Sequence, residues 1–168
     1  MTQVLLGETV VQLNGNLPLV GSQAPDFLLV EGRNLENRSL SDYVGKRIVM
    51  NIFPTINTPV CSASAKRFNE IVETLNDVIV LCISKDLPWN QENFCSENGL
   101  NNVVFLSDMR NHQFGEKYGI IHQNAKFQGL LARCVLVLNQ NGTIEYTELV
   151  EQTGHEPDYD KVLDILQK

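Results

Sequence analysis

The chain of 168 residues has no Cys-x-x-Cys pair, no two histidines at the i, i+4 spacing of a helical metal pair, and no excess of positive charge. Its cysteines, Cys61, Cys82, Cys95 and Cys134, are scattered, and its histidines, His112, His122 and His155, fall near predicted loops or helix edges. Zinc sites and Cys-x-x-Cys redox centres need close pairs, so no metal is expected. With 13 Lys and Arg against 20 Asp and Glu, the net charge is −7, which excludes a general electrostatic attraction to nucleic acid or an anionic membrane. No apolar run approaches the roughly 20 residues that span a bilayer, and residues 1–8 lack the basic and apolar regions of a secretory signal. A soluble, cytoplasmic protein is expected, whose cysteines serve transient disulfides or simple burial. Repeats, low-complexity tracts and linkers are missing too. A single domain over residues 1–168 is therefore expected, since a chain of this length can bury one core by itself.

What is present concentrates at residues 47–61. Arg47 to Phe53 reads as a buried strand, and it runs into Pro54-Thr55-Ile56-Asn57-Thr58-Pro59-Val60-Cys61. Thr58 is a good helix N-cap, and Pro59 suits the first helical position because its missing N–H would have had no partner there. Cys61 then falls in the first turn, where unpaired N–H groups and the positive end of the helix dipole favour a thiolate. Free cysteine also ranks among the most buried residue types, so packing alone is the alternative. The coincidence of strand end, two prolines, cap and thiol favours a nucleophile, because sites in open α/β sheets lie beyond the carboxyl ends of strands.

Around this stretch the pattern predicts an N-terminal hairpin from Val4–Leu6 and Val10–Leu13, and a short strand at Phe27–Val30. A helix from Pro59 to about Leu75 buries Phe68, Ile71, Val72 and Leu75, and a strand follows at Val78–Ser84. Strand, helix, strand implies a right-handed βαβ unit with parallel strands. Further elements are a helix at Pro88–Asn98 closed by Gly99, a strand at Val103–Leu106 and a helix at Asn111–Tyr118. A hairpin pairs Arg133–Asn139 with Thr143–Val150, and the last helix spans Pro157–Gln167.

The octet resembles the active-site motif of peroxiredoxins, Pro-x-x-x-Thr-x-x-Cys, through Pro54, Thr58 and Cys61. The chain also resembles the thiol peroxidase subfamily through Asn51-Ile52-Phe53-Pro54, Val80-Leu81-Cys82-Ile83-Ser84, Asp86-Leu87-Pro88, Phe94-Cys95, Gly99-Leu100-Asn101-Asn102-Val103, Leu131-Ala132-Arg133 and Glu156-Pro157-Asp158-Tyr159. The resemblance implies an α/β, thioredoxin-like fold in its peroxiredoxin elaboration: an N-terminal β-hairpin and a central mixed sheet flanked by helices. The pattern of a βαβ unit followed by ββα agrees with it.

The resemblance also implies a chemistry. Cys61 would attack a hydroperoxide, Thr58 would hold its hydroxyl near sulfur and peroxide, and Arg133 would sit beside the thiolate as cation and planar donor. Pro54 would shield Cys61 from water. Cys95 would resolve the Cys61 sulfenic acid as an intrachain disulfide, with thioredoxin as reductant and a homodimer as the assembly. From local pattern alone Arg133 reads as a surface ion-pair residue and Cys95 as a helix cysteine packed beside Phe94. Cys82 and Cys134 read as buried packing, Cys134 on the strand face opposite Arg133. Two rivals stay open: a cysteine hydrolase with a histidine as base for Cys61, and a non-enzymatic redox switch.

Overall fold

The computed structural model describes residues 2–168. The chain begins with the hairpin β1 (Gln3–Leu6) and β2 (Thr9–Gln12), which turns Val4 and Val11 into the core. A second antiparallel pair follows, β3 (Leu28–Glu31) and β4 (Glu36–Ser39). The βαβ unit is β5 (Arg47–Ile52), α1 (Pro59–Glu73) and β6 (Val78–Ser84), with β5 and β6 parallel. Then come α2 (Pro88–Asn98), β7 (Val103–Ser107), α3 (Gln113–Tyr118), β8 (Cys134–Leu138), β9 (Ile144–Leu149) and α4 (Tyr159–Leu166).

Seven strands form one mixed sheet in the order β4-β3-β7-β6-β5-β8-β9. The parallel centre β7-β6-β5 is buried on both faces and reads as continuous apolar runs, as parallel strands do. Alternate residues of each strand feed two core layers. Ile48, Met50, Ile52, Cys134, Leu136 and Leu138 pack with the N-terminal hairpin and α3. Val49, Phe53, Cys82, Val135 and Val137 pack on the other face with α1 and α4, where Phe94 and Cys95 of α2 also rest.

The elements expected from sequence are present, with ends shifted by a residue or two. β5 ends at Ile52, although the Phe53 N–H still donates to the Ile83 carbonyl at 3.1 Å. α1 stops at Glu73, before Leu75, and α3 starts at Gln113. The strand β4 was not foreseen, because Glu36-Asn37-Arg38-Ser39 has no apolar alternation. It is an edge strand whose Arg38 bridges Glu31 at 2.7 Å and Glu36 at 2.6 Å, and charged side chains of this kind discourage pairing with another chain. His122 lies in the connection between α3 and β8, in keeping with a loop edge, and its side chain is fully buried there.

Candidate active site

The cap on α1 forms as its residues dictate. Thr58 is extended (φ −101°, ψ 147°), and its hydroxyl oxygen accepts from the Cys61 backbone N–H at 3.4 Å, with Pro59 at the first helical position. Cys61 therefore lies in the first turn, fully buried, against Phe53, Ile56 and Ala65. Pro54 is buried where β5 gives way to this loop. A cleft of about 390 Å³ lies over the same turn, between Pro59, Val60 and Ala63 on one side and Gly154, His155 and Glu156 on the other.

Arg133 reaches the same place from a different strand. It immediately precedes β8, which runs antiparallel to β5 with Cys134 opposite Ile52, so the start of β8 adjoins the loop after β5. Strand parity turns Arg133 to the face of Val135 and Val137, the face that carries α1. The side chain is 3% exposed, so the surface ion pair suggested by local pattern does not form. Its Nε donates to the Thr153 carbonyl at 3.0 Å and its Nη2 to Cys61 Sγ at 3.3 Å. Nη1 is buried with no partner among the described residues. A buried guanidinium with one unspent donor beside a thiol can stabilise a thiolate and still orient an incoming oxygen.

Two polar residues behind Cys61 had been given no role from sequence. Asn51, in the middle of β5, donates to Ser64 Oγ at 3.3 Å and to Cys82 Sγ at 3.7 Å, and Ser64 donates to the Cys61 carbonyl at 2.9 Å. The α1 backbone under the thiol is thus tied to the sheet. Cys82 is buried and its thiol is pushed up to about 12 by desolvation, against the lowering effect of the Asn51 hydrogen bond. Asp86, just past β6, is a third such residue: its carboxylate accepts from Thr55 Oγ1 and the Ile56 N–H. An amide within an apolar strand and an acid at a strand's carboxyl end were the available signals.

Cys95 is not brought to Cys61. It lies half-buried on α2 and borders a separate cavity of about 290 Å³ with Pro88, Gln91, Leu100, Val103 and Phe105, which Cys61 does not line. Burial, with a smaller effect of Glu92, pushes its thiol up to about 11. All four cysteines are free, and Cys134 packs in the opposite core layer from Cys61. Among the described residues no histidine nitrogen bonds to Cys61: His112 Nδ1 pairs with Lys85 at 2.7 Å and His122 stacks on Phe127. Nor do His, Cys, Asp and Glu gather there as a group of three that could hold a metal ion.

A buried thiol on the first turn of the helix after a central parallel strand, with an arginine delivered to it from an antiparallel neighbour, marks a candidate site for thiol chemistry on a mixed α/β sheet. The chain belongs to the Redoxin family, whose model matches residues 19–163. Relatives of this chain within that family include thiol peroxidases. The one from Corynebacterium glutamicum is 44% identical over 153 residues, covering 91% of this chain and 92% of the relative. The one from Vibrio cholerae serotype O1 is 42% identical over 153 residues, covering 91% and 93%. A crystal structure of a peroxiredoxin-like protein from Aquifex aeolicus superposes with a TM-score of 0.91 at 32% identity, covering 98% of this chain and 95% of that one. The thioredoxin-like fold expected from sequence is the fold of this family.

Proposed function

We propose that this chain is a thiol peroxidase that reduces hydrogen peroxide and organic hydroperoxides through Cys61, resolves the product with Cys95, and is recycled by thioredoxin. The contact that carries the proposal is Arg133 Nη2 at 3.3 Å from Cys61 Sγ, with Nη1 unspent beside it. The Cys61 thiolate attacks one peroxide oxygen; the S–O bond forms as the O–O bond breaks. The departing oxygen takes a proton and leaves as water or alcohol, and Cys61 becomes a sulfenic acid. Arg133 and the Thr58 hydroxyl supply donors where negative charge grows on the oxygens, while Pro54 covers the sulfur from water.

In the second step the Cys95 thiolate attacks the Cys61 sulfur, the S–S bond forms, and the hydroxyl leaves as water. Burial opposes ionisation of Cys95 in the packed state, and its thiol faces the other cavity, so this step needs α2 to loosen. α2 suits that need. Of its eleven residues only Pro88 and Gln91 are buried, and Leu87 at its N-cap makes no side-chain cap. A thioredoxin dithiol then takes up the disulfide by exchange, which returns both protein thiols and leaves the reductant oxidised. The cycle fits one domain in a cytoplasm that keeps thiols reduced. Leu87 and Trp89, exposed at the start of α2, are apolar surface that the homodimer of this proposal would cover.

The hydrolase alternative loses its support because no histidine bonds to Cys61 among the described residues. A coupled assay with thioredoxin, thioredoxin reductase, NADPH and hydrogen peroxide tests the function. Repeated NADPH consumption that depends on this protein and on peroxide is expected; a single stoichiometric oxidation without turnover leaves the redox switch as the better account.

A further inference from the structure

We infer that Asp86 is a positioning residue that ties the Cys61 loop to the Cys95 helix, so that one carboxylate favours the peroxide step and restrains the disulfide step. The inference rests on the Cys61–Cys95 cycle proposed above. Asp86 Oδ1 accepts from Thr55 Oγ1 at 2.6 Å, and Oδ2 accepts from the Ile56 N–H at 2.9 Å and from Ser84 Oγ at 2.6 Å. Its own backbone carbonyl is held by Ser107 Oγ at 2.6 Å.

On one side these contacts fix the turn that leads into α1. Thr55 Oγ1, having given its proton to Asp86, accepts from Asn57 N at 3.2 Å and Nδ2 at 3.0 Å, and the Thr55 carbonyl accepts from the Thr58 N–H at 3.4 Å. Thr58 is the cap above Cys61. On the other side, Ser84 Oγ accepts from Gln91 Nε2 at 3.2 Å, and Gln91 is the buried polar anchor of α2, also donating to the Leu106 carbonyl at 3.0 Å. The chain of donors therefore runs from the Cys61 loop through Asp86 and Ser84 to the helix that carries Cys95.

The carboxylate meets three donors and has none of its own. An amide in its place would present N–H₂ to a group that donates, and the hydroxyl of Thr55 already accepts from Asn57 on its other side. Loss of the tie frees both ends at once. The Cys61 loop becomes less ordered, which slows attack on peroxide, while α2 is freed to bring Cys95 across, which speeds S–S formation with loss of water. A residue that only stabilised the fold would not move the two steps in opposite directions.

The test is single-turnover oxidation by hydrogen peroxide, quenched by alkylation and read by mass spectrometry for the Cys61 thiol and the Cys61–Cys95 disulfide. The single tryptophan, Trp89 on α2, gives a fluorescence trace of the helix in the same mixing experiment. In Asp86→Asn the peroxide-dependent phase should slow by about tenfold, as for loss of a charge-assisted bond, and the peroxide-independent disulfide phase should quicken severalfold. Thr55→Val, which removes one donor and keeps the carboxylate, should move both phases the same ways but less, and Thr55→Ser should restore them; this pair decides the matter if Asp86→Asn does not fold. Any pattern other than opposite movement overturns the role of Asp86. If instead the parent protein loses its Cys61 thiol without forming the disulfide, the cycle itself falls and the coupling with it.

Discussion

Lowering the pH should destabilise this protein through one side chain, His122. Its ring is fully buried, both nitrogens lack partners among the described residues, and it stacks on Phe127 with centroids 6.2 Å apart. Lys126 Nζ lies over the Phe127 ring, 5.8 Å from its centre, and offers no compensating negative charge. Desolvation lowers the imidazole from its ordinary 6.5 to about 4. The unfolded chain therefore binds a proton that the folded chain refuses between about pH 6.5 and pH 4. The stability this represents is fully present above the upper value and is lost as pH falls towards the lower one. Worked from those two values, the loss relative to neutral pH is on the order of 1 kcal/mol at pH 5.5 and about 2–3 kcal/mol at pH 4.5. The larger figure corresponds to roughly 5–10 °C in Tm for a chain of this size. Urea unfolding of the parent and of His122→Leu at pH 7.5, 5.5 and 4.5 isolates the effect, since other titrating groups are common to both. The gap between the two proteins should move in favour of the variant by those amounts as the pH falls. A gap that stays constant from pH 7.5 to 4.5 would refute the reasoning and show that the buried ring finds a partner when protonated.

Three further outcomes are expected at the proposed site. Cys61→Ser should abolish turnover in the thioredoxin-coupled assay, because an unactivated hydroxyl is a poor nucleophile towards an O–O bond; appreciable residual NADPH consumption would move the nucleophile elsewhere. Cys95→Ser should still lose its Cys61 thiol to the first equivalent of peroxide, then stall and pass to sulfinic acid in excess, seen as a mass increase of two oxygens; an intact intrachain disulfide in that variant would name Cys82 or Cys134 as resolver. Arg133→Ala should lower the second-order rate with peroxide by on the order of 10²–10³, and Arg133→Lys by less, since charge survives but the second donor of the fork does not. Equal rates in both variants and the parent, with circular dichroism unchanged, would leave the helix start as sole activator of Cys61.

Much of this was legible in sequence because its signals are local. Thr58, Pro59 and Gly99 punctuate α1 and α2 through their own backbone preferences, and the strands at the sheet centre are apolar runs whatever surrounds them. The strand β4 was not legible, since a polar edge strand takes its order from the partner it pairs with. The burial of His122 was hidden for the same reason: it depends on Leu13 crossing to pair with it from the N-terminal hairpin region. Arg133 lay between these cases. Its parity with Val135 and Val137 is a sequence fact, but a strand's parity says nothing of which helix covers the face. Asp86 falls within a block shared with the thiol peroxidases, yet its place at the site is not legible there, because its three donors come from residues 30 or more positions away and from Ser84 at its side.

The direction of β8 explains why a buried cation can serve a thiol at the far end of a βαβ unit. The carboxyl edge of a parallel sheet gathers the ends of strands, and here it brings together the loop after β5 and the segment after β6. A parallel β8 would contribute its last residues to that edge and leave Arg133 at the opposite one, about 17–20 Å away for strands of this length. Because β8 pairs antiparallel to β5, with Cys134 against Ile52, its first residue arrives where β5 finishes. The adjacent Thr153 carbonyl, after β9, then takes the Nε proton and aims the remaining donors at Cys61. In the proposed mechanism the mixed sheet is thus part of the chemistry: two parallel strands make the edge on which the thiol stands, and one reversed strand brings the charge to it.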